Sequence, residues 1–132
     1  MTDLEEAKEF FSKDKFAMTT TGIDILEVGP KYAKCIMNID ERHYNVAGTV
    51  MGGAISTLAD FTFAVASNFK QGHAVSVAIN MNYMRPGKGK FLTAESELVK
   101  DGRSIINYTI YVRDDQDKLV ATANVTGMRV DF

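Results

Sequence analysis

Cysteine is almost missing from this chain, and so is any imbalance of charge. The single Cys35 excludes an intrachain disulfide and a multi-cysteine metal site. It shares an alternating face with Ala33, Met37 and Ile39, which is the pattern of a buried strand residue rather than a reactive thiol. Fifteen basic against 17 acidic side chains leave a formal net charge of -2. That balance supplies no general pull toward nucleic acid or an anionic membrane. No repeat, low-complexity tract or linker breaks the 132 residues, of which 45% are hydrophobic, so the chain reads as one domain over residues 1–132. No apolar helical run reaches the roughly 20 residues needed to span a bilayer. The N-terminal MTDLEEAKEF is acidic and amphipathic, without the basic start and apolar core of a secretory leader. The expected location is the cytoplasm.

Periodicity then sets out the elements. Leu4 to Phe11 has helical spacing, with Thr2 or Asp3 as the cap and Glu5 and Glu6 in the first turn. Strand-like runs follow at Thr20–Val28 and Tyr32–Ile39, separated by Gly29-Pro30. Glu41 to Val50 reads as a loop. Gly53 to Phe69 is a helix apolar nearly all round, which belongs in a core. Four further strands, Ala74–Met84, Phe91–Lys100, Ser104–Arg113 and Leu119–Val130, read as a meander, with Asp101-Gly102 as a tight-hairpin signal. A long antiparallel sheet must cover its apolar face, and the central helix is the one large apolar element available. The expectation is an α+β fold with the sheet wrapped around that helix. Strand 74–84 alternates, with Val75, Val77, Ile79, Met81 and Tyr83 on one side and Ser76, Ala78, Asn80 and Asn82 on the other. At an edge such a strand invites a second copy, so at least a dimer is expected.

The chemistry concentrates in the central helix. Gly53, Ser56, Thr57, Asp60, Ala64 and Ser67 follow one another at i+3 and i+4 and share one face. Asp60 has a bland reading, as a carboxylate held by Ser56 or Thr57. It also has a chemical one, as a general base whose pKa desolvation raises. Gly52-Gly53 at the helix start exposes backbone N–H groups that have no intrahelical partner and carry the positive end of the dipole. The glycines serve either the turn alone or an oxyanion. Together with Asp60 they suggest attack of water or a carboxylate on an acyl carbonyl.

Asn45-x-x-Gly48-x-x-Met51-Gly52-Gly53, followed by Leu58-Ala59-Asp60, resembles the hotdog-fold acyl-CoA thioesterases of the phenylacetic-acid-degradation type. That family carries an Asn, then His-Gly-Gly six residues on, then Leu-Ala-Asp. Phe61 to Asn68 and Val75 to Pro86 continue the similarity, which covers most of the chain from Thr20 onward. The resemblance implies hydrolysis of acyl-CoA to free acid and CoA. Asp60 would act as general base or nucleophile, and the Gly52 N–H would polarise the carbonyl. Asn45 would assist it, and Ser76 would orient the water. It implies a homodimer or homotetramer with the site between subunits, and no metal or cofactor beyond the CoA of the substrate. Met51, Gly53, Phe61, Phe63 and Tyr83 would border the acyl group, and Arg85, Lys88, Lys90 and Arg129 would meet the CoA phosphates.

One position departs from the pattern. Met51 stands where the family has His, and Met neither donates a hydrogen bond nor carries a proton. That keeps a non-catalytic acyl-CoA or lipid binding module as the alternative. His43 is a candidate to supply an imidazole instead, against a solvated loop histidine, and His73 reads as a strand-edge residue. A hydratase or dehydratase shares the fold but needs a His paired with Asp or Glu, and neither histidine sits in such a motif.

Overall fold

The computed structural model describes residues 1–131. Helix α1 spans Asp3–Phe11 and starts on a capping box. The Thr2 hydroxyl accepts from the Glu5 N–H, and the Glu5 carboxylate accepts from the Thr2 N–H. Such a cap contributes about 1 kcal/mol. Phe16–Thr20 forms a π-helical turn, and strand β1 begins only at Ile23 and runs to Gly29. The run expected to start a strand at Thr20 therefore coils first. β2 is Tyr32–Asn38, followed by a 3-10 turn at Glu41–His43. α2 is Gly52–Asn68, and β3 to β6 are His73–Tyr83, Phe91–Asp101, Ile105–Asp114 and Leu119–Val130.

The six strands form one sheet in the order β1-β2-β4-β5-β6-β3, every neighbouring pair antiparallel. The expected four-strand meander is therefore corrected. β4, β5 and β6 do run as a meander, but β3 pairs with β6 at the far edge, and β2 lies beside β4. The cause is the link between β3 and β4. It spans residues 84–90 and is pinned midway by an antiparallel bridge from Gly87 to Val50. Seven residues carry the chain past the start of α2 and the β5–β6 turn, where a tight turn would have paired the two strands.

α2 lies in the curve of the sheet. Ile55, Leu58, Ala59, Phe61, Phe63, Val65 and Ala66 are buried on it. They face Ile106, Tyr108, Ile110, Val112, Ala121, Ala123 and Val125 in one core. A fully buried Leu or Phe adds roughly 2–3 kcal/mol by transfer. Thr62 and Ser67 are also buried, and each hydroxyl donates one turn back, to the Leu58 carbonyl at 2.8 Å and the Phe63 carbonyl at 2.7 Å. Cys35 is buried in β2 between Ala33 and Met37, as its alternation predicts. Burial pushes its thiol up to about 12, which makes it unreactive at neutral pH.

β3 carries a bulge between Ser76 and Ala78. Ser76 opposes Gly127, the position against which Phe63 packs. Beyond the bulge, Ile79, Met81 and Tyr83 oppose Val125, Ala123 and Ala121, which are buried. Ser76 therefore shares the helix side with Ile79, Met81 and Tyr83. Strict alternation had put it on the opposite side. One extra residue, Val77, makes the difference.

Candidate active site

The N-terminus of α2 has no side-chain cap. Met51, extended at φ -60 and ψ 138, takes the N-cap position. Its N–H donates to the His43 carbonyl at 2.7 Å, and its own carbonyl accepts from Ala54 at 2.9 Å. The Gly52 and Gly53 N–H groups have no acceptor among the described residues. Two unpaired donors thus stand at the positive end of a 17-residue helix, where an oxyanion is stabilised.

Asp60 sits two turns further on, on the same face as Gly53. Its side chain is open to solvent on one side, while α2 and the N-terminal segment crowd it on the other. Desolvation from that packing raises its pKa above the usual carboxylate value. Ser76, brought over to this side by the bulge, pulls the pKa the other way, and Asp14 pushes it up by like charge. Ser56 and Thr57, the expected partners, do not hold it. Both hydroxyls donate to the Gly53 carbonyl instead, at 3.0 and 2.8 Å. A helical hydroxyl reaches the carbonyl one turn behind more readily than a carboxylate one turn ahead.

Asp60 opens into a groove with Thr57, Phe61 and Ala64 on one wall and Lys13 to Ala17 on the other. This second wall was not foreseen. Its only sequence signal is the K-D-K-F run, and its approach to Asp60 is a tertiary contact. Phe61 is buried and meets Phe11 edge-on at 5.9 Å, so it forms the floor rather than a free aromatic surface. Phe63 is core, edge-on to Tyr108 at 5.8 Å, and lines neither groove. A second, mostly apolar groove of about 470 Å³ shares Phe16 and Thr57 with the first and runs past Ala54, Gly53 and Met51. Met51 is 58% exposed there.

Asn45 begins a loop closed by the Tyr44–Val50 bridge. Its Oδ1 accepts from the Ala47 and Thr49 N–H groups at 3.0 and 3.1 Å, and its Nδ2 donates to the Thr49 hydroxyl at 3.1 Å. One N–H of the exposed amide is left for a ligand. His43 is 3% exposed. Its Nδ1 accepts from the Asp40 N–H at 3.0 Å, so Nε2 carries the proton and donates to the Thr21 carbonyl at 2.7 Å. Both nitrogens are committed, which makes His43 a structural residue rather than a substitute for the missing family imidazole. His73 opens β3 and is exposed, as a strand-edge residue.

Tyr83 stands beside Gly52, its hydroxyl donating to the Gly52 carbonyl at 3.0 Å. Arg85 and Lys88 line a polar depression with Lys118, Asp114 and Asp115. Lys90 adjoins it through its N–H, which donates to Asp115 at 2.9 Å. Arg129 lies elsewhere. Its guanidinium donates to the Ser67 carbonyl at 2.5 Å and to Gln71 at 3.4 Å, so it secures the end of α2 and is not a free phosphate ligand. No helix among the described residues is long and apolar enough to cross a membrane.

The geometry has counterparts among known proteins. The sequence profile of the Thioesterase superfamily matches residues 47–121, which hold the α2 N-terminus, Asp60, Ser76 and Tyr83. A putative esterase of Archaeoglobus fulgidus is 33% identical over 97% of this chain and 84% of its own length. The acyl-coenzyme A thioesterase PaaI of Escherichia coli is 33% identical over 76% of this chain and 72% of its own. The solved structure of E. coli PaaI superposes with a TM-score of 0.89, at 25% identity over 98% of this chain and 94% of that one. A mutant of the phenylacetic acid degradation protein PaaI from Thermus thermophilus gives 0.80 at 33% identity, covering 86% and 97%. Six antiparallel strands curled around one long helix, a glycine pair at its start and an aspartate two turns in place this chain in the thioesterase superfamily, as a thioesterase with the PaaI-like hotdog fold.

Proposed function

We propose that this protein hydrolyses acyl-CoA thioesters at a site shared by two copies of the chain. The observation that carries the reading is the spacing on α2. Gly52 and Asp60 are eight residues apart, about 12 Å along the axis at 1.5 Å per residue. A base acting through one water and a donor on the same carbonyl oxygen span roughly 6–9 Å, less than this axial separation alone. One chain therefore supplies Asp60, and a neighbour supplies the Gly52 N–H and Asn45. The exposed edge strand β3, with Val77 and Ile79 open to solvent, supports pairing of two sheets. A dimer or a pair of dimers serves equally.

The chemistry then runs as follows. The thioester oxygen accepts the Gly52 N–H, with Asn45 Nδ2 beside it. Asp60 takes a proton from a water oriented by Ser76 as the water oxygen attacks the acyl carbon. The tetrahedral oxyanion rests on the glycine donor. Its collapse breaks the C–S bond, and the departing CoA sulfur takes the proton back from Asp60, leaving free acid and CoA. Attack by the Asp60 carboxylate itself, through an anhydride, uses the same placement. The apolar groove past Met51 and Phe16 suits the acyl group, and the Arg85, Lys88 and Lys90 rim suits the CoA phosphates. The reaction needs no cofactor beyond the CoA of the substrate, and we place it in the cytoplasm.

Free-thiol release from short, medium and aryl acyl-CoA esters tests this, with wild type and Asp60→Asn in parallel. Turnover by wild type, lost by at least about 100-fold in a folded Asp60→Asn protein, is expected. Binding of acyl-CoA without turnover by either would replace the enzyme with a binding module.

A further inference from the structure

The start of α2 poses a mechanical problem. It consists of two adjacent glycines, the most freely rotating residues, and no side chain caps it. An oxyanion donor stabilises charge only if its direction is fixed before the charge develops. Met51 is anchored to His43, and beyond that anchor the peptide joining Gly52 to Gly53 is held within the helix only by the bond its carbonyl accepts one turn ahead, at the first and most easily frayed position.

Tyr83 reaches this peptide from β3. Its hydroxyl donates to the Gly52 carbonyl at 3.0 Å. Its ring also fills the space beside Gly52. A Cβ there would lie 3.2 Å from Tyr83 Cζ and 3.3 Å from the hydroxyl oxygen. The peptide is a rigid plane in which C=O and N–H point in opposite directions. Pinning the Gly52 oxygen therefore aims the Gly53 N–H, which has no protein acceptor. Tyr83 is 51% exposed and contributes little to the core. The hydrogen bond crosses from a strand to the first residue of a helix, and it engages a carbonyl whose own plane carries the free donor.

We infer that Tyr83 is a positioning residue for this site, holding the Gly52–Gly53 peptide so that the Gly53 N–H serves as a second oxyanion donor beside that of Gly52. This rests on the thioester-hydrolysis reading above and deepens it. A Cβ at position 52 would press on this ring, which would have to shift by a few tenths of an ångström to admit it.

Tyr83→Phe removes the hydroxyl and keeps the ring. The expected result is a fall in kcat of roughly 3- to 10-fold with KM nearly unchanged, because the lost alignment matters as charge develops. The Kd for a non-hydrolysable acyl-CoA analogue with a methylene in place of sulfur should stay the same. Backbone 15N relaxation supplies a readout independent of turnover, and the order parameter of Gly53 should drop in Tyr83→Phe while that of Ala66 does not. A Tyr83→Phe enzyme with wild-type kcat, or an unchanged Gly53 order parameter, overturns the inference. So does a loss confined to KM, which would make Tyr83 an ordinary substrate contact. Wild type without any thioesterase activity is a different result, and it sinks the parent reading instead.

Discussion

Gly127 is where the packing of α2 and the placement of the site meet, and replacing it with alanine tests both. A Cβ at Gly127 would sit 2.4 Å from Phe63 Cζ, 3.1 Å from Cε1 and 3.2 Å from Ile106 Cγ1. Real Cβ atoms do not approach to 2.4 Å, so something must move. Phe63 is 2% exposed and wedged edge-on against Tyr108, which leaves its ring little room to retreat. Overpacking of a core costs about 1–3 kcal/mol, and this contact belongs at the upper end. Loss of glycine's freedom in the unfolded chain returns roughly 0.5–1 kcal/mol. The net is about 2 kcal/mol. With unfolding entropy of about 2.1 cal/mol/K per residue, that lowers Tm by roughly 7 °C. The assay is a thermal melt of wild type, Gly127→Ala, Phe63→Leu and the double variant. Leucine lacks the Cζ atom that clashes, so alanine at 127 should cost much less in the Phe63→Leu background. Ser76 is the strand partner of Gly127, so thioesterase activity should fall with Gly127→Ala even at temperatures where it stays folded. A Tm within about 1 °C of wild type, or full additivity in the double variant, would refute the reasoning.

Three further outcomes follow from the site. Folding raises the Asp60 pKa, chiefly by desolvation, so the native state disfavours its charged form. That penalty is absent below the unfolded value of about 3.9 and fully present above the raised native one. Asp60→Asn should therefore be more stable than wild type to urea at pH 7, with the gap closing as pH falls toward 4. An Asn variant less stable at pH 7 contradicts this. Met51→His should raise turnover, because it restores a donor and proton carrier at the helix N-cap, and an unchanged rate would show that Met51 imposes no loss. His43→Ala leaves the Thr21 carbonyl and the Asp40 N–H without their ring partner. A cost of about 2–4 kcal/mol in urea unfolding is expected, and a change under about 0.5 kcal/mol would deny the histidine its structural role.

Much of this fold is readable from local pattern. The apolar girth of 53–69 marks a core helix, and alternation marks β2 and β4 to β6. The pairing of β3 with β6 is not local. It depends on a link that passes the start of α2 and the β5–β6 turn and on the bridge from Gly87 to Val50, and neither leaves a turn signature. The bulge at Val77 was equally hidden, because Val75, Val77 and Ile79 alternate perfectly in sequence, and only the register against β6 shows Ser76 turned toward Asp60. Asp60 and the glycine pair stood out because a carboxylate and bare backbone are anomalous in an apolar helix. Asp14 and Phe16 did not, since an ordinary charged turn and an isolated aromatic gain meaning only from the groove they form. Arg129 misled for the converse reason. A basic residue near the chain end resembles a phosphate ligand until its hydrogen bonds to the end of α2 are seen.

The central claim is that Asp60 of one chain works on a thioester held by the glycine N–H of another. Subunit complementation tests it most directly. Asp60→Asn removes the base. Gly52→Pro removes the N–H at the first helical position, where proline is tolerated, and the preceding Met51 already has the extended conformation proline requires. Each variant alone should be inactive. Co-expressed in equal amounts, half the dimers pair the two, and each such dimer holds one site with both groups intact. The account predicts recovery of about a quarter of wild-type thiol release. Mixed dimers, confirmed by differential tags, that remain as inactive as either parent would contradict it, because a site built within one chain is broken in every subunit.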